Sequence, residues 1–187
     1  MRVLWILPCL LAAALAAGCP PIETKIPSSE TFTVPGAGVL GGNPLAPEMA
    51  FPADVVGEAL AQAVQQSFDT SGYEKGAVKS LKLTALSLTV LEPNQGNVQV
   101  RDLGFLRSLA VSLGGAEGEP TLVAESAAGA FDDDPVEYHV PLTGAELAET
   151  FKSSNTLEMT ADVVPDAPPQ FATDVQVDAE ITVQIGL

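Results

Sequence analysis

The sequence predicts a mainly β domain, an antiparallel β-sandwich with two helical insertions, one over 54–68 and one over 144–152. Three observations lead there. The last segment alternates without a break: Val175, Val177, Ala179, Ile181, Val183 and Ile185 against Asp174, Gln176, Asp178, Glu180, Thr182 and Gln184. Period-two alternation of this kind puts one set of side chains on a dry face and the other on a wet, acidic one. Upstream, several short β-rich runs follow one another, separated by turn signals at short intervals, as in two-layer β folds. Only two stretches break that pattern with helical spacing.

Taken in order, Glu30-Thr31-Phe32-Thr33-Val34 is β-rich and alternating, and Pro35 closes it. Residues 35–47 are a loop by composition, with Gly36, Gly38, Gly41, Gly42, Pro44 and Pro47. The first helix shows Val55, Val56, Ala59, Leu60, Ala63, Val64 and Phe68 as one stripe, with Gln62, Gln65 and Gln66 opposite. Pro52 and Asp54 suit its first turn, and Gly72 is placed to stop it.

A long strand follows over 78–90. Leu81 and Leu83 share one parity, but Leu86, Leu88 and Val90 share the other, so a bulge or a change of partner sheet is expected near Ala85. Residues 92–97 form a strong turn, and strands are expected over 109–113, 121–125 and 136–142. The second helix has a complete start signal. Thr143 and Glu146 match a capping box, and Leu142 and Leu147 match the hydrophobic staple around it. A strand over 156–164, a Pro-rich loop over 165–170 and the alternating last strand complete the order. The general architecture expected is immunoglobulin-like. The runner-up is an α+β domain with one sheet covered by the first helix.

The chain has 187 residues, 47% apolar and 5% aromatic, so its core rests on Val, Leu, Ile and Ala. It carries 8 Lys and Arg against 24 Asp and Glu. A chain this acidic repels phosphate backbones, which argues against a nucleic-acid partner. Nor does the sequence contain a polybasic stretch for anionic headgroups.

Residues 1–18 carry one charge, Arg2, then an almost wholly apolar run from Val3 to Leu15 interrupted by Pro8, then Ala16-Ala17-Gly18. A basic start, a short apolar run and small residues before a cut mark an export signal. Leu15-Ala16-Ala17-Gly18-Cys19 resembles the lipobox of bacterial lipoproteins, matching at Ala17, Gly18 and Cys19 and departing at Ala16, where the family usually has Leu. The resemblance implies cleavage before Cys19, acylation (palmitate among the chains) of that cysteine, and attachment to the bacterial cell envelope, with the outer membrane the expected site. Several acyl chains anchor stably where one does so marginally. The expected organisation is a cleaved signal peptide over 1–18, a lipidated flexible tether over 19–29, and a single β-rich domain over 30–187. Cys9 lies in the signal, so the domain itself has no cysteine to pair.

Chemistry is sparse. His139 is the single histidine, set between Tyr138 and Val140 in an expected strand, where a wet strand face explains it. Neither a nucleophile elbow nor a Walker-type phosphate loop occurs, and one histidine cannot build an ordinary zinc site. Non-catalytic function is therefore expected. Asp132-Asp133-Asp134 before Pro135 is the one site-like cluster. Three carboxylates on a turn offer hard oxygen ligands for calcium, although the spacing is not that of an EF-hand. A solvated acidic turn anchored by Phe131 is the plainer reading. The leading expectation is a membrane-anchored module that binds an envelope protein or serves structurally. The alternatives are a lipid or apolar-ligand carrier, with the first helix covering a cavity, and a calcium-dependent adhesion domain.

Overall fold

In the computed structural model, the described residues are 21–36, 53–72, 74–91, 101–115, 118–154, 157–167, 169 and 172–186. Seven strands and two α-helices are formed among them: β1 (Ile22–Val34), α1 (Ala53–Ser71), β2 (Val78–Val90), β3 (Leu106–Gly114), β4 (Thr121–Glu125), β5 (Glu137–His139), α2 (Ala148–Ser153), β6 (Glu158–Pro165) and β7 (Thr173–Ile185), with a short 3-10 turn at Lys75–Ala77. They make a four-stranded sheet, order β1-β7-β2-β5, and a three-stranded sheet, order β4-β3-β6, antiparallel throughout.

β7 is central to the larger sheet because its alternation is complete. Val175, Val177, Ala179, Ile181, Val183 and Ile185 are all buried, while the polar set between them faces outward. It pairs with β1 along thirteen positions, from Ile22 opposite Ile185 to Val34 opposite Thr173. On its other side β2 pairs with a register shift between Leu83 and Ala85. That bulge resolves the parity conflict in the sequence: Leu83 and Leu86, three apart, are both buried. The partner strand does not change.

The inward residues of both sheets belong to one hydrophobic cluster, with Leu81, Leu88 and Ile181 from one sheet and Leu109, Val111 and Leu113 from the other fully buried. The two sides of this core are closed differently. On one side α1 packs against the edge strands β1 and β6, setting Leu60, Val64 and Phe68 inward. Gly72 ends it at φ +68°, donating its N–H to the Phe68 carbonyl at 3.0 Å. The other side is closed by one stretch of chain that changes sheets. Glu137–His139 pairs with β2, Val140 donates to the Leu86 carbonyl, and Thr143 then donates to Val123 of β4, with Ala124 bridging Leu142.

Two expectations are corrected. The first strand begins at Ile22, not at Glu30, so most of the expected 19–29 tether is sheet. Composition misled here because Pro27, Ser28 and Ser29 read as linker. An edge strand tolerates proline, whose missing N–H need not break a ladder, and Ile26 is 5% exposed on the inner face. The second helix is shorter than expected, six residues at Ala148–Ser153, and Leu147, with no side-chain cap, precedes it. The capping box does not form because both of its residues bond elsewhere. Thr143 joins β4, its hydroxyl donating to the Leu122 carbonyl at 2.8 Å, and Glu146 turns to β2.

Candidate functional site

Cys19 lies outside the described residues. What is described is where the chain leaves it. Ile22 stands opposite Ile185, which also pairs with Val78 at the start of β2. The amino-terminal end of the domain is thus built from the first residue of β1, the last of β7 and the first of β2. α2 belongs to the same end, since Leu147 donates to the Leu81 carbonyl at 2.8 Å and Lys75 lies 4.9 Å over the Phe151 ring.

Glu146 fixes that corner. One carboxylate oxygen accepts N–H bonds from Leu81 at 2.6 Å and from Leu147 and Ala148 at 3.1 Å each. The other accepts the Ser80 hydroxyl at 2.6 Å. Burial raises its pKa, but the bonds from Leu81, Ser80 and Ala148 and the charge of Lys82 outweigh that and hold it below the ordinary glutamate value. The acid thus satisfies a donor on the unpaired edge of β2 and two at the start of α2. Sequence reasoning had the right residue and the wrong partners.

The outer face of the larger sheet is polar and open. A shallow depression of about 390 Å³ on it is lined by Lys25, Lys82, Thr84 and Glu180 among others. The Glu180 carboxylate accepts from the Lys25 ammonium at 3.0 Å and from the Thr84 hydroxyl at 3.1 Å; these bonds keep the Glu180 carboxyl below its ordinary pKa. Further along the same face His139 is 79% exposed, with Nε2 3.3 Å from Glu137, and Ser87 stands opposite it in register. A side chain that open lacks the dry surroundings that sharpen acid–base chemistry.

The Asp132–Asp134 turn lies at the far end. Phe131 anchors it, 2% exposed, with its ring centroid 4.9 Å from that of Tyr138. The carboxylates diverge. Asp132 lies back against Gly129, while Asp134, at φ 50°, lies against Gly104. A Cβ at Gly104 would sit 2.0 Å from the Asp134 carboxylate and 3.0 Å from that of Asp102, which accepts the Gly104 N–H at 2.9 Å. A side chain there would have to push the exposed Asp134 carboxylate aside, and nothing in the sequence pattern marked the contact. An open cleft of about 440 Å³ beside it is lined by Arg107, Asp132, Asp134 and Asp166 among others. Among the described residues no group of three His, Cys, Asp or Glu side chains is placed to hold a metal ion.

Under α1, where a carrier would need a cavity, the gap lined by Ile26, Phe68, Val183 and Ile185 holds about 10 Å³. That is barely the space of one water. No helix among the described residues is long and apolar enough to cross a membrane. No protein-family model, curated protein or solved structure matches the chain.

Proposed function

We propose that the chain is the precursor of a lipid-anchored, non-catalytic envelope lipoprotein. Its two sheets pack as a sandwich and offer their surfaces to an envelope protein. The observation that carries the reading is the lipobox-like Leu15-Ala16-Ala17-Gly18-Cys19 following a short apolar run and leading almost at once into the first strand at Ile22. The four-plus-three strand count suits an immunoglobulin-like sandwich, while the last strand lying between the first and second departs from that order. The outer membrane remains the favoured site. Of the alternatives, the carrier reading would need more room than the gap described under α1 holds, and the calcium reading would need the Asp132 and Asp134 carboxylates to turn toward one another.

The test is expression of the full chain in a bacterial host, with intact mass measured on the membrane fraction. The expected species lacks residues 1–18 and carries acyl mass on Cys19. Cys19→Ser should move the domain to the soluble fraction without changing its melting curve. A membrane-free wild-type protein, or one cleaved elsewhere with no added mass, would end the reading.

A further inference from the structure

A single peptide bond of the chain joins aspartate to proline, Asp134–Pro135. Such a bond is chemically weak. The side-chain carboxyl lies one small ring closure from its own carbonyl carbon, and the proline nitrogen, a tertiary amide, leaves more readily than an N–H amide. The fold adds strain to this bond. Among the described residues Asp134 is the only one other than glycine with a positive φ, 50°. An L side chain is crowded there, and a following proline favours extended backbone instead.

The strain cannot spread, because the bond is pinned on both sides. Before it, Asp134 donates its N–H to the carbonyl of the buried Phe131 at 3.1 Å. After it, the Pro135 carbonyl accepts from Leu103 and the Val136 carbonyl from Val90, both at 2.8 Å, and both donors are buried residues. Backbone strain persists where the surroundings hold it in this way. Asp134 itself is exposed, so water reaches it. The charged groups about it are Asp132 and Asp133 in the same turn, Asp102, whose carboxylate shares the Gly104 contact, and Arg107 and Asp166 across the cleft.

We propose that the chain cuts itself between Asp134 and Pro135 in mild acid, and that the fold accelerates the cut. An oxygen of the protonated Asp134 carboxyl adds to the Asp134 carbonyl carbon. The C–N bond breaks, its electron pair stays on the Pro135 nitrogen, and that nitrogen takes the carboxyl proton. One water opens the cyclic anhydride left on Asp134 to two carboxyl groups, so the net change is hydrolysis of one amide. Breaking the bond parts Asp134 from the proline and frees its backbone, so strain in the intact chain lowers the barrier. The carboxyl-terminal piece carries β5, α2, β6 and β7, and β7 stays paired between β1 and β2 of the other piece. The domain then consists of two chains held by the sheets, and unfolding releases the second from whatever holds the first. The inference goes beyond the anchor reading and does not depend on it.

The experiment uses the full chain, expressed in a bacterial host and purified in detergent. It is kept at about pH 5, where carboxyls begin to protonate, once folded and once in urea, and the products are weighed by intact mass. The expected products are two pieces whose masses sum to that of the parent plus one water, the second beginning at Pro135. They should form about tenfold faster in the folded protein than in urea. Glu119–Pro120, where closure needs a larger ring, should stay intact. Asp134→Ala, which lacks the nucleophile, and Pro135→Ala, which lacks the leaving group, should both remain whole. No cut at this bond, a rate in urea equal to or above that of the folded protein, or a cut that survives Asp134→Ala overturns the inference. The wild-type comparison of folded with unfolded chain decides the matter even where a variant does not fold.

Discussion

Replacing Glu146 separates its charge from its geometry. In Glu146→Ala, the N–H groups of Leu81 and Ala148 and the hydroxyl of Ser80 lose their acceptor together, while the Leu147 N–H keeps the Leu81 carbonyl. Hydrogen bonds to charged groups contribute about 1.5–3 kcal/mol each when buried. Here the side chain is 44% exposed, so water replaces part of what is lost. The whole substitution should cost about 2 kcal/mol rather than the sum, in line with losing a helix cap. For a chain of this size that is roughly 4–8 °C in Tm. Glu146→Gln keeps a carbonyl oxygen for the three N–H donors and should cost about half as much. The assay is urea unfolding of all three proteins between pH 7 and pH 3. The folded-state pKa of Glu146 is depressed. Its ionisation therefore stabilises fully above the unfolded-state value of about 4.3, and this stabilisation is lost as pH falls through the lower folded value. The gap between wild type and Glu146→Gln should be widest at neutral pH and close below about pH 4. Gln as damaging as Ala, or a gap that widens in acid, would refute the reasoning.

Other perturbations test other parts of the fold. Ile26→Ala should destabilise by about 2–4 kcal/mol in urea unfolding, since Ile26 is 5% exposed; a residue in a free tether would change nothing. Gly72→Ala meets no atom within 4 Å but must hold φ +68°, so it should cost about 1 kcal/mol by thermal melt through backbone strain alone. Calcium and chelator should leave the melting temperature equal, because the Asp132 and Asp134 carboxylates point to different glycines; a rise with calcium would restore a metal site on that turn.

The elements that could be read from the sequence were those whose side chains carry a strong period. β7 alternates over its whole length, and the stripe of α1 ends at the glycine marked to stop it. The change of parity after Leu83 located an irregularity, a bulge or a change of partner, and the structure makes it a bulge. Where partners decide, local pattern failed. Thr143 and Glu146 hold a capping-box spacing, yet the backbones of β4 and β2 took both side chains. The start of β1 was hidden because its inward positions include Thr24, Ser28 and Glu30, which an edge strand can leave half-exposed. Strand order in the sheets depends on long-range pairing that no local signal encodes. Of the candidate site residues, Cys19 rests on its flanking sequence alone. The aspartate turn was located correctly, but its carboxylate directions depend on Gly104 and Gly129, which contact it only in the fold.

The pairing of β1 with β7 also bears on how the domain would respond to tension. On the proposed anchor at Cys19, a pull between it and a partner gripping the far end would run parallel to β1. All thirteen register pairs, from Ile22–Ile185 to Val34–Thr173, would then carry the load at once instead of opening one by one. Resistance to forced unfolding is set by the rate of rupture and not by equilibrium stability. A strand loaded along its length in this way would make a strong link between a membrane and whatever is bound above it.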